Sequence, residues 1–278
     1  MNVNEIIANR ALELSGYPRG AYAIISPFND VNMSQGDSDV FNSAARIAVI
    51  AATQKLAAAL GELKNAFLKK SLEFDFLLKP SRANFRDSVP VTLGQEFLTY
   101  AETVKKCAED IEHAKKRLLC LSAGGTEAGT GFNSHQGFIE RVVSKISEIT
   151  KTNFEKSEDL VELASSAYDF MNFSSRLKNT AASLIKISAE LSLLASGPAA
   201  GFNEIIIPPL QLGSSLVPAK YNPVALENLS MVSMQISGID HIITQAAINT
   251  PPDLNINMPL ITYNLLFGLK ILTNAVNI

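Results

Sequence analysis

Apolar residues recur at three- and four-residue spacing through long stretches of this chain, which is the period of one helical face. The clearest run starts at Asp159 and continues through Leu160, Leu163, Ala164, Ala167, Met171, Leu177, Ala181, Leu184, Ile185, Leu191 and Leu194. Ser174 and Ser188 fill two further places in the same phase. Ser157-Glu158-Asp159 supplies an N-cap region and Gly197-Pro198 a stop, so the pattern predicts one helix of roughly ten turns, with room for a kink. Small residues such as Ala164, Ala181, Ser183 and Ala189 would let neighbouring helices approach closely. The same reading predicts helices over Asn4–Leu14, Val40–Leu72, Leu93–Leu121, Phe138–Thr150, Ala225–Ala247 and from Pro259 to the end.

Glycine and proline are absent between Gly36 and Gly61, Gly61 and Pro80, Gly94 and Gly124, and Gly137 and Gly197. Breakers so widely spaced favour long helices. Strand patterns are scarce. Ala21–Ile25 and Asn203–Ile207 are the two short apolar runs read as extended. Long helices joined by polar, glycine-containing connections predict an all-α, long-helix bundle. On the helix at Ala225–Ala247, Met231, Met234, Ile236 and Ile239 form apolar surface that either packs within the chain or meets another copy.

Composition sharpens this picture. Of 278 residues, 47% are hydrophobic and 18% charged, without tryptophan, which fits a globular protein packed by Leu, Ile and Ala. The net charge of -3 argues against nucleic-acid binding. Lys69-Lys70 and Lys115-Lys116-Arg117 read as solvated helix faces. Only Cys107 and Cys120 are present, so no disulfide framework is expected. The first ten residues do not resemble a signal peptide, and no apolar run is read as long enough to span a membrane. The expectation is a cytoplasmic protein.

His113, His135 and His241 stand apart in sequence, and none belongs to a metal-binding pattern, so no metal or other cofactor is predicted. GGTEAGTGFN, Gly124 to Asn133, lacks the Lys-Ser/Thr ending of a phosphate loop and follows a helical pattern. Its Thr126, Thr130 and Asn133 can offer hydrogen bonds to a carboxylate. GSSLVPAKYNP, Gly213 to Pro223, combines a glycine with Ser214 and Ser215, a cation in Lys220 and an amide in Asn222. These groups suit an anionic substrate and a developing oxyanion. From residue types alone, the stretch reads equally as a proline-bounded loop before a helix capped by Asn222.

Several segments together resemble the aspartase/fumarase superfamily. GSSLVPAKYNP is similar to its serine-rich mobile loop, GSSxMPxKxNP. MNVNEIIANRALEL resembles MNxNExIANRAxE, and VNMSQGDSD resembles VNxSQSSND or VNxSQSTND. RANFRDSVPVTLGQEF resembles RTHLQDAVPxTLGQEF, GGTEAGTGFN resembles GGTAVGTGLN, and SGPAAGFNEIIIP resembles SGPRxGLxEIxLP. The segments occur in the family's order and cover nearly the whole chain. The PAK-x-NPV form and ISPFNDVNMSQ are closer to aspartate ammonia-lyases than to fumarases. On this resemblance residues 1–278 form a central helical lyase-like domain, without the family's usual terminal domains.

The resemblance implies a homotetramer around a shared helical core, with each site drawn from three subunits. It implies anti elimination: ammonia leaves L-aspartate, or a related amino acid, to give fumarate or an analogue. A base removes a proton beside a carboxylate, and donors stabilise the resulting aci-carboxylate dianion. Carried onto this chain, Ser214 is the catalytic base. Lys220, Asn222, Ser215, Asn84 and Ser38 bind substrate, and Glu227 supports the site. The partner is then a small dicarboxylate or amino acid.

Departures concentrate at that site. Gly36-Asp37-Ser38 stands where the family has Ser-Ser-Asn or Ser-Thr-Asn, so a hydroxyl is lost and an acid gained. Asp37 would repel a dicarboxylate, or would meet an ammonium in a changed substrate. Ala83-Asn84 stands where Thr-His is usual, Ala199 replaces an arginine, and INTPPDLNINMP replaces a region resembling EAGQFELNVMEP. Two readings follow: an ammonia-lyase, native or retuned, or a catalytically impaired pseudoenzyme or scaffold that keeps the helical assembly.

Overall fold

The computed structural model describes residues 2–135, 137–211, 213, 216–217, 220–251 and 254–278. In chain order the elements are α1 (Asn2–Leu14), a π-helical turn (Pro27–Val31), α2 (Asp37–Glu73), β1 (Leu78–Ala83), β2 (Arg86–Thr92), α3 (Leu93–Leu118), β3 (Cys120–Leu121), α4 (Phe138–Thr150), β4 (Glu155–Lys156), α5 (Leu160–Ser165), α6 (Tyr168–Leu194), α7 (Val224–Ile248) and α8 (Met258–Val276). The chain is an all-α protein with two small two-stranded sheets among the described residues. It divides into two compact units. One holds the residues up to Ile47, Leu119–Ala167 and Thr250–Met258; the other holds Ala48–Leu118, Tyr168–Asn249 and Pro259–Ile278.

The long apolar run from Asp159 is two helices, not one. Within the expected N-cap region Ser157-Glu158-Asp159, Asp159 is the cap, its Oδ1 accepting from the N–H groups of Val161 and Glu162, both at 2.9 Å. At Ser166 the backbone turns extended (φ -90°, ψ 137°), which ends α5. The freed carbonyl of Leu163 accepts from the Asn42 side chain at 2.9 Å, so the break leaves that group satisfied. The periodicity hides the break because Leu160, Leu163, Ala164 and Ala167 are all buried on either side of it.

In the second unit α6 packs against both α3 and α7. Phe170, Phe173, Leu177, Ala181, Leu184 and Ile187 form its buried stripe. Ser174 and Ser188 are buried in the same phase, and the Ser174 hydroxyl donates to Asp240 of α7 at 2.8 Å. Lys178 binds the other oxygen of that carboxylate at 2.5 Å. On α7, Ile236 and Ile239 are core residues facing Gly268 of α8, whereas Met231 and Met234 are exposed. The four therefore do not share one outward face. Between α2 and α3, the rings of Phe67, Phe74, Phe97 and Tyr100 meet at centroid distances of 5.2 to 6.1 Å, mostly edge-on.

Other sequence expectations need correction. α2 begins at Asp37, before the expected Val40, and α3 ends at Leu118. Ala21–Ile25 forms turns, with the Ile24 N–H donating to Ala21. Asn203–Ile207 is not a strand; its start hydrogen-bonds back to the end of α6 through the Asn203 and Glu204 N–H groups. The unexpected hairpin β1–β2 turns at Asn84 and Phe85, both left-handed (φ 53° and 58°). That is a two-residue hairpin turn of the kind Asn-Gly usually signals, so a phenylalanine there conceals it. α2 also contains an 18-residue window of mean hydropathy 1.2, apolar and long enough by composition to cross a membrane, contrary to the expectation that none is. Val49, Ile50, Leu56, Ala59 and Leu60 of this helix are buried in the fold.

Gly94, in the first turn of α3, lies against the end of α2 so closely that a Cβ would overlap the Ser71 carbonyl oxygen and come within 2.7 Å of the Asp75 Cα. Both obstacles are backbone, so the helices would have to move apart. Gly94→Ala is expected to destabilise the chain by about 1–3 kcal/mol, seen as a lower urea midpoint with an unchanged slope.

Candidate functional site

Ser214 and Ser215 lie outside the described residues. Among the described residues of that segment, the Lys220 N–H donates to the Val217 carbonyl at 3.2 Å. α7 begins after Pro223, whose φ of -78° and ψ of 60° make it the N-cap without any side-chain cap bond. Asn222 is therefore not the cap, and its exposed amide remains available. Lys220 and Asn222 line one cavity of about 730 Å³ with Ser196, Gly197, Pro198 and Asn203. The Ser196 hydroxyl binds the Leu193 carbonyl at 2.6 Å and accepts from the Phe202 N–H at 3.1 Å, which shapes the opposite wall.

Glu227 is exposed in the first turn of α7 and lines a neighbouring groove with Ala189, Ser192 and Met231. Asn84 lines a different cavity of about 530 Å³, with Lys79, Arg82, Tyr100, Lys186 and Glu190. Thus, among the described residues of the second unit, Asn84 does not share a cavity with Lys220 and Asn222. Burial and the nearby Glu190 and Glu96 carboxylates raise the Tyr100 phenol well above its ordinary value, so it stays protonated.

Beneath the hairpin is an ion network that the sequence reading missed. Lys79 Nζ lies 2.8 Å from Glu96 and 2.5 Å from Glu204, and Arg82 also pairs with Glu204 while its guanidinium stacks 3.9 Å from the Phe202 ring centre. These residues are distant in sequence, and each alone looks like a surface charge. Burial pushes the Glu204 carboxyl up, but hydrogen bonds from Arg82 and Lys79 outweigh it and hold the group below its ordinary value.

Ser38 belongs to the first unit. It is buried, and its hydroxyl faces the backbone carbonyls of Thr126, at 2.9 Å, and Glu127. Its proton is therefore engaged within the protein, tying the start of α2 to the glycine-rich loop. Asp39 does the same more extensively. One carboxylate oxygen accepts from the Gly36 N–H at 2.8 Å, and the other accepts from Gly124 and Thr126 at 3.2 and 3.3 Å. Burial nevertheless raises its carboxyl above the ordinary value, because desolvation outweighs those N–H bonds. The Gly36-x-x-Asp39 spacing is half of a capping box, a signal that the sequence does carry.

A family model described as lyase matches residues 1–238. The chain is 40% identical over 275 residues to aspartate ammonia-lyase of Corynebacterium glutamicum, covering 99% of this chain and 52% of that protein. It is 39% identical to aspartate ammonia-lyase of Pseudomonas aeruginosa, covering 100% of this chain and 59% of the relative. A crystal structure of fumarate lyase:delta crystallin from Brucella melitensis, bound to cobalt, superposes with a TM-score of 0.96 at 39% identity, covering 99% of this chain and 60% of that one. Class II fumarase from Schistosoma mansoni gives 0.94 at 29% identity, covering 99% and 61%. The chain spans about half to three-fifths of the length of the curated relatives it matches.

The Glu204 network makes a pH-dependent prediction. A carboxyl lowered by folding adds stability above its unfolded value, near 4.5, and loses it as pH falls through the folded value. Glu204→Gln is expected to cost roughly 1–3 kcal/mol at neutral pH and progressively less below the carboxylate range. Urea midpoints of both proteins across that range check the convergence.

Proposed function

We propose, from the premise that this chain belongs to the aspartase/fumarase superfamily of lyases, that it is the central part of an ammonia-lyase acting on L-aspartate or a related amino acid. The observation that carries the reading is the cavity shared by Lys220 and Asn222 at the foot of the serine loop. A cation and an amide there can hold the carboxylate beside the carbon that loses its proton. They also stabilise the second negative charge that develops when that carboxylate becomes an aci-carboxylate.

In this reading Ser214, as alkoxide, removes a C3 proton from L-aspartate. The electron pair forms the C2–C3 double bond, the C2–N bond breaks on the opposite face, and ammonia and fumarate leave. Lowering a serine hydroxyl far enough requires loop N–H groups and the positive charge of Lys220 close by. Ser215 would add a donor, and Glu227, one turn into α7, would orient the loop.

The separation of the Lys220–Asn222 cavity from Asn84 favours a site completed by further copies of the chain, as expected of a homotetramer. The exposed Met231 and Met234 of α7 give such an assembly an apolar surface. The working compartment proposed is the cytoplasm. A second reading, a pseudoenzyme or scaffold, is favoured by the Ser38 hydroxyl, which is spent on the loop carbonyls instead of a ligand.

The discriminating experiment follows fumarate by its ultraviolet absorbance with L-aspartate or L-malate as substrate. Turnover of L-aspartate that Ser214→Ala reduces by about 10²–10⁴-fold, with the tetramer intact by light scattering, is the expected result. An intact tetramer without turnover of either compound favours the scaffold over native activity.

A further inference from the structure

We infer that Asn203 is a specificity-determining residue of the Lys220–Asn222 cavity, where its side-chain amide takes the second carboxylate of a dicarboxylate substrate such as L-aspartate. This rests on the lyase reading for the reaction, and every residue involved lies in the second compact unit. Lys220 is the one charged side chain in the lining of that cavity among the described residues. A space with a cation and no acid suits an anion, but one ammonium cannot neutralise two carboxylates. The second one needs a neutral donor, and Asn203 lines the same cavity.

The fold fixes the place of Asn203 without using its amide. Its neighbours on both sides are clamped to the hairpin. The Arg82 guanidinium lies 3.9 Å from the Phe202 ring centre, and Glu204 pairs with Arg82 and, at 2.5 Å, with Lys79. The Asn203 N–H donates to the Ser196 carbonyl at 2.7 Å, which closes the turn onto the end of α6. Between these anchors Asn203 is left-handed (φ 48°), and a Cβ on Gly197, another residue of the cavity wall, would meet the Asn203 Cβ at 3.4 Å. Glycine adopts that backbone most readily and asparagine tolerates it. Asparagine therefore adds an amide to a backbone held from both sides, and among the described residues that amide makes no hydrogen bond. The Ser196 hydroxyl, by contrast, is spent on Leu193 and Phe202.

A side-chain amide offers two N–H donors and carries no charge, so it can hold a carboxylate without altering the charge of the cavity. With Lys220 and Asn222 on the carboxylate beside the acidic C3 proton, Asn203 takes the one on the amine-bearing carbon. A monocarboxylate of the same length leaves the Asn203 amide without that partner and loses affinity.

Calorimetric titration of the full chain with succinate and with butyrate tests this. The wild type is expected to bind succinate about tenfold more tightly than butyrate. Asn203→Gly keeps the left-handed backbone and removes only the amide. Its thermal midpoint should stay close to that of the wild type, while succinate loses most of its advantage. Asn203→Asp, which also tolerates the backbone, places a carboxylate in the cavity and should weaken succinate more than butyrate. An asparagine that serves the turn alone would leave both affinities unchanged in Asn203→Gly. That result, equal binding of the two probes by the wild type, or no binding of either would overturn the inference. Succinate preference that Asn203→Gly abolishes, in a wild type that eliminates ammonia from no amino acid, would instead overturn the lyase reading and leave this one standing. L-Aspartate turnover with a KM that Asn203→Gly does not alter would do the reverse.

Discussion

Backbone N–H groups from Gly36 and from Gly124, which lies 85 residues beyond Asp39 in sequence, converge on the buried carboxylate of Asp39. Taking a carboxylate out of water is costly, and hydrogen bonds from Gly36, Gly124 and Thr126 offset that cost without abolishing it. The start of α2 and the glycine-rich loop are thereby held as one piece. Ser38 reinforces the joint through the Thr126 and Glu127 carbonyls. A buried acid with no role in the proposed chemistry thus ties two segments distant in sequence together.

The second unit depends on a different kind of constraint. Its helices pack through small or apolar positions at helical period, and the close approach of Gly94 to α2 sets how near α3 can lie. The Lys79–Glu96–Glu204–Arg82 network then fastens the hairpin to the segment after α6. Asn203, Ile205 and Ile207 of that same segment line the Lys220–Asn222 cavity, so the electrostatic clasp beneath the hairpin adjoins one of its walls.

Most of the helices were legible because period and breakers agreed. A cap within Ser157–Asp159 and Ser174 within the buried phase of α6 are read directly from the sequence. The break at Ser166 was not legible, since its compensation comes from Asn42, more than a hundred residues away. The hairpin was hidden by Phe85 in a position where glycine is the usual mark. On α7, apolar type alone could not separate buried Ile236 from exposed Met234. The loop residues Lys220 and Asn222 announced themselves by motif, whereas Asp39 and Glu204 look like any surface acid until their partners are known.

The proposed reaction removes a proton beside a carboxylate and expels an amine from the neighbouring carbon. Proton NMR of L-aspartate incubated with the full chain in heavy water reads that step directly. The expected result is stereospecific change at one of the two C3 protons, as deuterium incorporation or as alkene formation. A folded, assembled protein that leaves both C3 protons untouched would contradict it.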